Sequence, residues 1–228
     1  MNYLSVITAR GGSKGIPKKN IYPLCGRPLL VYTIECALQA NISGDIVVST
    51  DSEEIAEVAK QYREINVIKR PQAISNDTAT SESALIHALD EMEKKGNKYF
   101  GVLTLQPTSP LRTPQTIKQC VEMFETHIPK YDALATLSEN NSFFWQKNED
   151  NDFVPLFPNA SRRRQNRQPL YYEDDILWIT QADALRETQS VLGTKVLGFL
   201  TKNWIEAVDI NTMQDMKFAE FLMQGIEN

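Results

Sequence analysis

Residues 8–20 read Thr-Ala-Arg-Gly-Gly-Ser-Lys-Gly-Ile-Pro-Lys-Lys-Asn, directly after the apolar run Leu4-Ser5-Val6-Ile7. Arg10, Lys14, Lys18 and Lys19 place four cations in this short loop. Gly11, Gly12 and Gly15 let the backbone turn sharply and bring N–H groups close to a ligand. Arginine and lysine around such a turn suit a polyphosphate. The spacing matches neither Gly-x-x-x-x-Gly-Lys-Ser/Thr nor Gly-x-Gly-x-x-Gly. The loop is therefore either a plain turn device or a triphosphate cradle, and the clustered charge favours the cradle.

Two further segments could do chemistry. Glu206-Ala-Val-Asp-Ile-Asn-Thr-Met-Gln-Asp215 offers Asp209 and Asn211 as oxygen ligands for a hard cation such as Mg²⁺. The same residues could simply cap a helix, with Asn211 or Thr212 as the capping residue. Arg162, Arg163, Arg164 and Arg167 form a basic run ahead of Tyr171, Tyr172, Asp174, Asp175 and Trp178. Such a run is either solvated surface or a source of one arginine that grips a substrate carboxylate. The mixed polar and aromatic stretch behind it is typical of a small-molecule pocket.

Other chemistries are poorly supplied. His87 and His127 are the sole histidines, and Cys25, Cys36 and Cys120 are widely spaced. No Cys/His zinc pattern or disulfide framework results. His87 sits inside a helical pattern and reads as structural. Catalysis is left to Asp, Arg, Lys and Gln, or to a metal held by oxygen.

These residues need a frame. A chain of 228 residues with 42% hydrophobic and 23% charged content suits a single α/β domain over 1–228. A net charge of −5 argues against a general nucleic-acid surface. No apolar run is long enough to span a membrane and none resembles a signal peptide, so a cytoplasmic location is expected. Apolar spacing predicts strands over 3–8, 46–50, 66–69, 99–105 and 131–137. Helices are predicted over 28–40, 52–62, 81–95 and 114–126, with Asp51-Ser52 capping the second. This alternation implies a mostly parallel sheet covered on both faces, with ligands at the carboxyl ends of its strands. The first loop and Gln106-Pro-Thr-Ser-Pro-Leu-Arg112 would lie at that end. The pattern breaks near Glu139, and residues 140–175 read as an inserted arm. Regular structure is expected to resume with strands over 176–180 and 195–200, and a helix over 212–223. Asp209 is expected at the end of a short apolar strand.

Together these segments resemble the acylneuraminate cytidylyltransferases, or CMP-sialic acid synthetases, with their legionaminic, pseudaminic and Kdo relatives. The resemblance rests on residues 9–20, Leu24-Cys-Gly-Arg-Pro-Leu29, Arg70-Pro71 with Asp77, Thr78 and Ser81, residues 106–112, Arg164-Gln165 and the segment to Trp178, and Asp209-Ile-Asn211 with Asp215. It implies a three-layer, Rossmann-like nucleotide-diphospho-sugar transferase fold with a mixed, mostly parallel sheet. It also implies a homodimer built through an arm at about 140–175, which also binds sugar. The implied partners are CTP and a 2-keto sugar acid, giving a CMP-sugar and pyrophosphate with Mg²⁺. The resemblance places Arg10, Gly11, Gly12, Ser13, Lys14, Lys19, Asn20, Arg70 and Ser81 around the nucleotide. It places Gln106, Arg164, Asp174 and Trp178 at the sugar, and Asp209 with Asn211 at the metal. Arg10, Lys19 and Asp209 would be catalytic.

The chain departs from the family pattern in two places. Asn211 stands where a second Asp is common, and Asp174-Asp175 stands where Asn-Gly is common, followed by Trp178 in place of Tyr. These changes bear on the identity of the sugar more than on the reaction. Two other functions fit parts of the pattern: nucleotidyl transfer to a sugar 1-phosphate, and a catalytically silent CTP-binding dimer.

Overall fold

The computed structural model describes residues 1–76 and 78–226. In chain order the elements are β1 (Tyr3–Thr8), the short strands β2 (Pro23–Leu24) and β3 (Arg27–Pro28), α1 (Leu29–Ala40), β4 (Gly44–Thr50), α2 (Glu53–Ala59), β5 (Ile65–Lys69) and α3 (Ser81–Glu93). There follow β6 (Gly101–Leu105), α4 (Pro114–Thr126), β7 (Ala133–Asn140), β8 (Trp145–Lys147), β9 (Phe153–Pro155), β10 (Leu170–Gln181), α5 (Ala182–Thr188), β11 (Val196–Leu200) and α6 (Met213–Ile226).

The seven-stranded sheet has the order β11-β7-β10-β6-β1-β4-β5. β1 pairs in parallel with β4 and β6, and β4 pairs in parallel with β5. β10 is the antiparallel exception, between β6 and β7. β1 is apolar on both faces because both are covered. Ile7 packs with Leu30, Ile34 and Phe124 from α1 and α4, while Leu4 and Val6 pack with Leu85 and Leu89 from α3. Each of these fully buried side chains stabilises the fold by about 1.5–3 kcal/mol.

Local signals set the helix starts. Ser52 accepts from the Ile55 N–H, and Glu53 and Glu54 stand in the first turn of α2. Thr80 and Thr113 cap α3 and α4 in the same way. A third core binds α6 to the first loop. Met216 and Ala219 pack with Ile16, Leu24 and Leu29, and with Val208 and Ile210. The distant C-terminal segment is thereby seated over the glycine-rich loop.

Three expectations need correction. Regular structure resumes at Leu170, not at 176, because β10 continues its ladder with β7 outward to Asn140. Asp209 follows a 3-10 turn at Trp204–Ala207 capped by Asn203, not a strand. Helix α5 went unpredicted, being too short for helical periodicity to register. The arm between β7 and β10 carries its own hairpin, β8 with β9. No helix among the described residues is long and apolar enough to cross a membrane.

Candidate active site

At the carboxyl end of β1 the chain enters the glycine-rich loop, whose position is set by hydrogen bonds to the neighbouring strand. The Ala9 N–H donates to the Ser49 carbonyl at 3.0 Å, and the Gly11 N–H donates to Asp51 Oδ1 at 2.8 Å. Buried Asn20 closes the loop by donating from Nδ2 to the Arg10 carbonyl at 2.9 Å. The result is one wall of a cavity of about 400 Å³. Arg10, Gly12, Ser13, Lys14, Lys19, Asn20, Arg70, Ser81, Gln106 and Asn211 all line it. These residues come from chain segments as far apart as residues 10 and 211, so the fold gathers most of the expected site into one place.

The cationic side chains are held differently. Arg70 is buried, with Nε on Ser49 Oγ at 3.2 Å and Nη2 on the Ser49 carbonyl at 2.8 Å. Burial lowers its ionisation, and the charge of Asp51 opposes that. Lys19 Nζ donates to the Ile210 carbonyl at 2.8 Å and to Asn211 Oδ1 at 3.5 Å. Burial lowers the Lys19 pKa, Asp209 pulls it back up, and Arg10 lowers it further. Arg10 Nη1 reaches the Asn76 carbonyl at 3.4 Å. The capped N-terminus of α3 brings Thr80 and Ser81 to the same cavity, adding the positive end of a helix dipole.

The segment 209–215 forms the helix cap that the sequence left open, with Thr212 as the capping residue. Asp215 Oδ2 accepts from the N–H groups of Asn211 and Thr212, while Thr212 Oγ1 accepts from the Asp215 N–H. This is a reciprocal helix cap. Asp209 takes no part in it. Its carboxylate accepts from the Asn211 side-chain amide. Gly15 is required here: a Cβ on it would lie 2.5 Å from the Asn211 carbonyl oxygen.

Four expected residues do not line the cavity: Asp209, which reaches it only through its bond to Asn211, and Gly11, Asp174 and Trp178. The N–H of Gly11 is spent on Asp51, so this glycine shapes the cradle from behind. Asp174 is buried and accepts from Ser138 Oγ at 2.8 Å, and Trp178 is buried with Nε1 on Glu173 at 2.8 Å. Neither lines the cavity, because the β7–β10 register shifts between Glu173 and Trp178 and turns their side chains into the protein. Asp77 and the side chain of Arg164 lie outside the described residues; the Arg164 backbone belongs to a 3-10 turn, Arg164–Asn166, in the arm. Two other arginines of the basic run serve the arm itself: Arg162 and Arg167 sit over the Phe143 ring at 4.4 and 3.9 Å.

The register shift sets Asp175, flagged in the sequence only as a departure from the family pattern, in an unusual conformation. Asp175 adopts φ 58°, the left-handed region. It occupies the place where Gly is common in the resembled family, and that glycine was the available signal. Its carboxyl is pushed up to about 6, first by burial and then by the negative charge of Asp209. Asp175 and Asp209 thus feel each other's charge, although neither lines the cavity. Also unforeseen were Asn76 and Thr80, which line the cavity beside Thr108 of the 106–112 segment.

The comparisons with known proteins agree with this geometry. The sequence matches the family described as Cytidylyltransferase over residues 4–225. It is 34% identical to the CMP-N,N'-diacetyllegionaminic acid synthase of Legionella pneumophila, over 98% of this chain and 97% of that protein. It is 32% identical to a pseudaminic acid cytidylyltransferase of Campylobacter jejuni, covering 97% and 96%. The fold superposes on a CMP-2-keto-3-deoxy-manno-octonic acid synthetase complexed with CTP, with a TM-score of 0.73, 14% identity and 99% coverage of each chain. With the sheet order, the cationic loop and these full-length matches together, the chain belongs to the cytidylyltransferase family.

Proposed function

We propose that this protein activates a nonulosonic, sialic-acid-like sugar acid: CTP and an N-acylneuraminate or legionaminate give the CMP-sugar and pyrophosphate. The observation that carries this reading is one cavity whose lining joins a cationic set, Arg10, Lys14, Lys19 and Arg70, to Gln106 and Asn211. Asp209 stands behind that lining, with its carboxylate accepting from the Asn211 amide. A triphosphate fits the cationic side. Gln106, at the carboxyl end of β6, would hold the acceptor near the α-phosphate, with Asp175 at its edge in the role first given to Asp174. Arg164 would pair with the acceptor carboxylate as a bidentate fork.

Nucleotidyl transfer asks the protein for position and charge neutralisation more than for covalent chemistry. The anomeric oxygen of the acceptor attacks the α-phosphorus in line. The bond from that phosphorus to the bridging oxygen breaks, and pyrophosphate leaves with the electron pair. Arg10 and Lys19 balance the charge that gathers on the phosphate oxygens. Lys19 is well placed for this because the Ile210 carbonyl orients its ammonium.

The donor set fits Mg²⁺. Asp209 offers a carboxylate, Asp175 lies within its electrostatic reach, and Asn211 offers an amide oxygen. Among the described residues no three His, Cys, Asp or Glu side chains form a metal cage. The remaining oxygen ligands would then come from the triphosphate and water. Bound there, Mg²⁺ would neutralise phosphate charge.

The arm reads best as the contact to a second copy. Phe144, Trp145, Phe153, Phe157 and Tyr171 are all exposed on it. Clustered exposed aromatics of this kind mark an interface. Sedimentation should show a dimer that Trp145→Glu weakens.

A pyrophosphate-release assay tests the reaction. CTP, UTP, ATP and GTP are each paired with N-acetylneuraminate, legionaminate, pseudaminate, Kdo and a sugar 1-phosphate. Release with CTP and a nonulosonic acid alone is the expected result. Release only with a sugar 1-phosphate, or only with another base, would refute it.

A further inference from the structure

Arg112 is buried at the far end of the Gln106–Arg112 loop and lines no part of the cavity. Its guanidinium nevertheless joins two strands that end at the site. Nε donates to the Ile176 carbonyl, and Nη2 donates to the Gln106 carbonyl at 3.0 Å. The Gln106 carbonyl also accepts from Thr33 Oγ1 at 3.3 Å. Halfway along the loop, Ser109 Oγ donates to the Asp175 carbonyl at 2.9 Å. The loop further reaches the third segment of the site, because the Ile210 N–H donates to the Thr108 carbonyl at 2.8 Å.

A buried cation is costly unless its hydrogen bonds are well met. Here Nη1 has no hydrogen-bond partner among the described residues. The neighbouring acidic groups Glu206 and Asp174 act on Arg112 through space, with no direct ion pair to it among the described residues. Glu206 spends its own carboxylate on the Thr113 N–H and hydroxyl. Satisfying these two carbonyls is a structural use of the guanidinium, and the unmet donor makes it a costly one. Its two carbonyl partners belong to the chain positions that flank the acceptor side: Gln106 itself, and Ile176 next to left-handed Asp175.

We propose that Arg112 is a positioning residue that sets the spacing between Gln106 and the Asp175 turn, and so the width of the acceptor side. Ser109 is the second tie of the same brace. A planar fork can hold two carbonyls at one separation; a lysine ammonium is a single point that cannot fix both. The inference rests on the acceptor reading of Gln106 given above.

The test compares Arg112→Lys, Ser109→Ala and Gln106→Ala with the parent protein, reading acceptor KM, kcat, and CTP dissociation measured without divalent cation. For Arg112→Lys, acceptor kcat/KM should fall on the order of a hundredfold, the effect of a misplacement of about 1 Å. CTP dissociation should move by less than about threefold, because the cationic wall is untouched. Ser109→Ala should raise acceptor KM by about three- to tenfold, as expected for one lost hydrogen bond. It carries the test if Arg112→Lys does not fold. Parallel losses in CTP and acceptor binding, or unchanged acceptor kinetics in both brace variants, would overturn the proposal. Gln106→Ala separates the two levels. An acceptor defect there with none in the brace variants refutes the brace alone, and no defect in Gln106→Ala refutes the acceptor reading beneath it.

Discussion

The two sides of the cavity are built on different plans. The proposed nucleotide side is largely one contiguous loop, residues 10–20, delivered by one strand and pinned by Asp51 and Asn20. The proposed acceptor and metal side is assembled from three segments far apart in sequence, around Gln106, Asp175 and Asp209, cross-tied by backbone carbonyls. A contiguous loop can keep one ligand through large sequence change because its geometry is local. An assembled wall depends on the register of several strands, and the β7–β10 register shifts beside Asp175.

The sharpest way to break this contrast is at the join. Asp209→Ala should lower kcat about a thousandfold, comparable to losing a principal electrostatic group, while Asn211→Ala should lower it about tenfold, since an amide brings no charge. Steady-state kinetics at saturating CTP and Mg²⁺ reads both, and equal losses would remove Asp209 from the metal. Gly15→Ala acts where the two sides touch. Its Cβ would press on the Asn211 carbonyl, so thermal unfolding should show a loss of about 1–3 kcal/mol, as for other overpacked sites. Unchanged stability would mean that the close approach is not held in solution. The smallest effect is expected at Asp175. Asp175→Gly relieves a left-handed conformation and should raise stability by about 1 kcal/mol, with reduced transfer activity. A stabilised variant with full activity would leave the acceptor side without Asp175.

The difference in plan also explains what the sequence made legible. Residues 10–20 could be read at once because cations and glycines lie side by side. The sheet through β7 was legible because strands covered on both faces are continuous apolar runs. Asp209 was singled out as an acid at an expected strand end before a helix start, and the structure puts a 3-10 turn before it instead. Asp174 and Trp178 were misplaced because alternation along β10 fails at a register shift that depends on β7, some 35 residues earlier. Arg112 stood in a segment the sequence singled out, but what it holds could not be read there. Its partners are backbone carbonyls, which every residue carries.

The central claim is attack by the acceptor at the α-phosphorus of CTP. It is tested most directly by running the reaction with CTP labelled separately at the α- and γ-phosphates, with a nonulosonic acid as acceptor and Asp209→Ala as the control. The α label should move to the sugar and the γ label to pyrophosphate, and the control should move neither at a comparable rate. A γ label on the sugar, or an α label that stays with free CMP, would contradict the account.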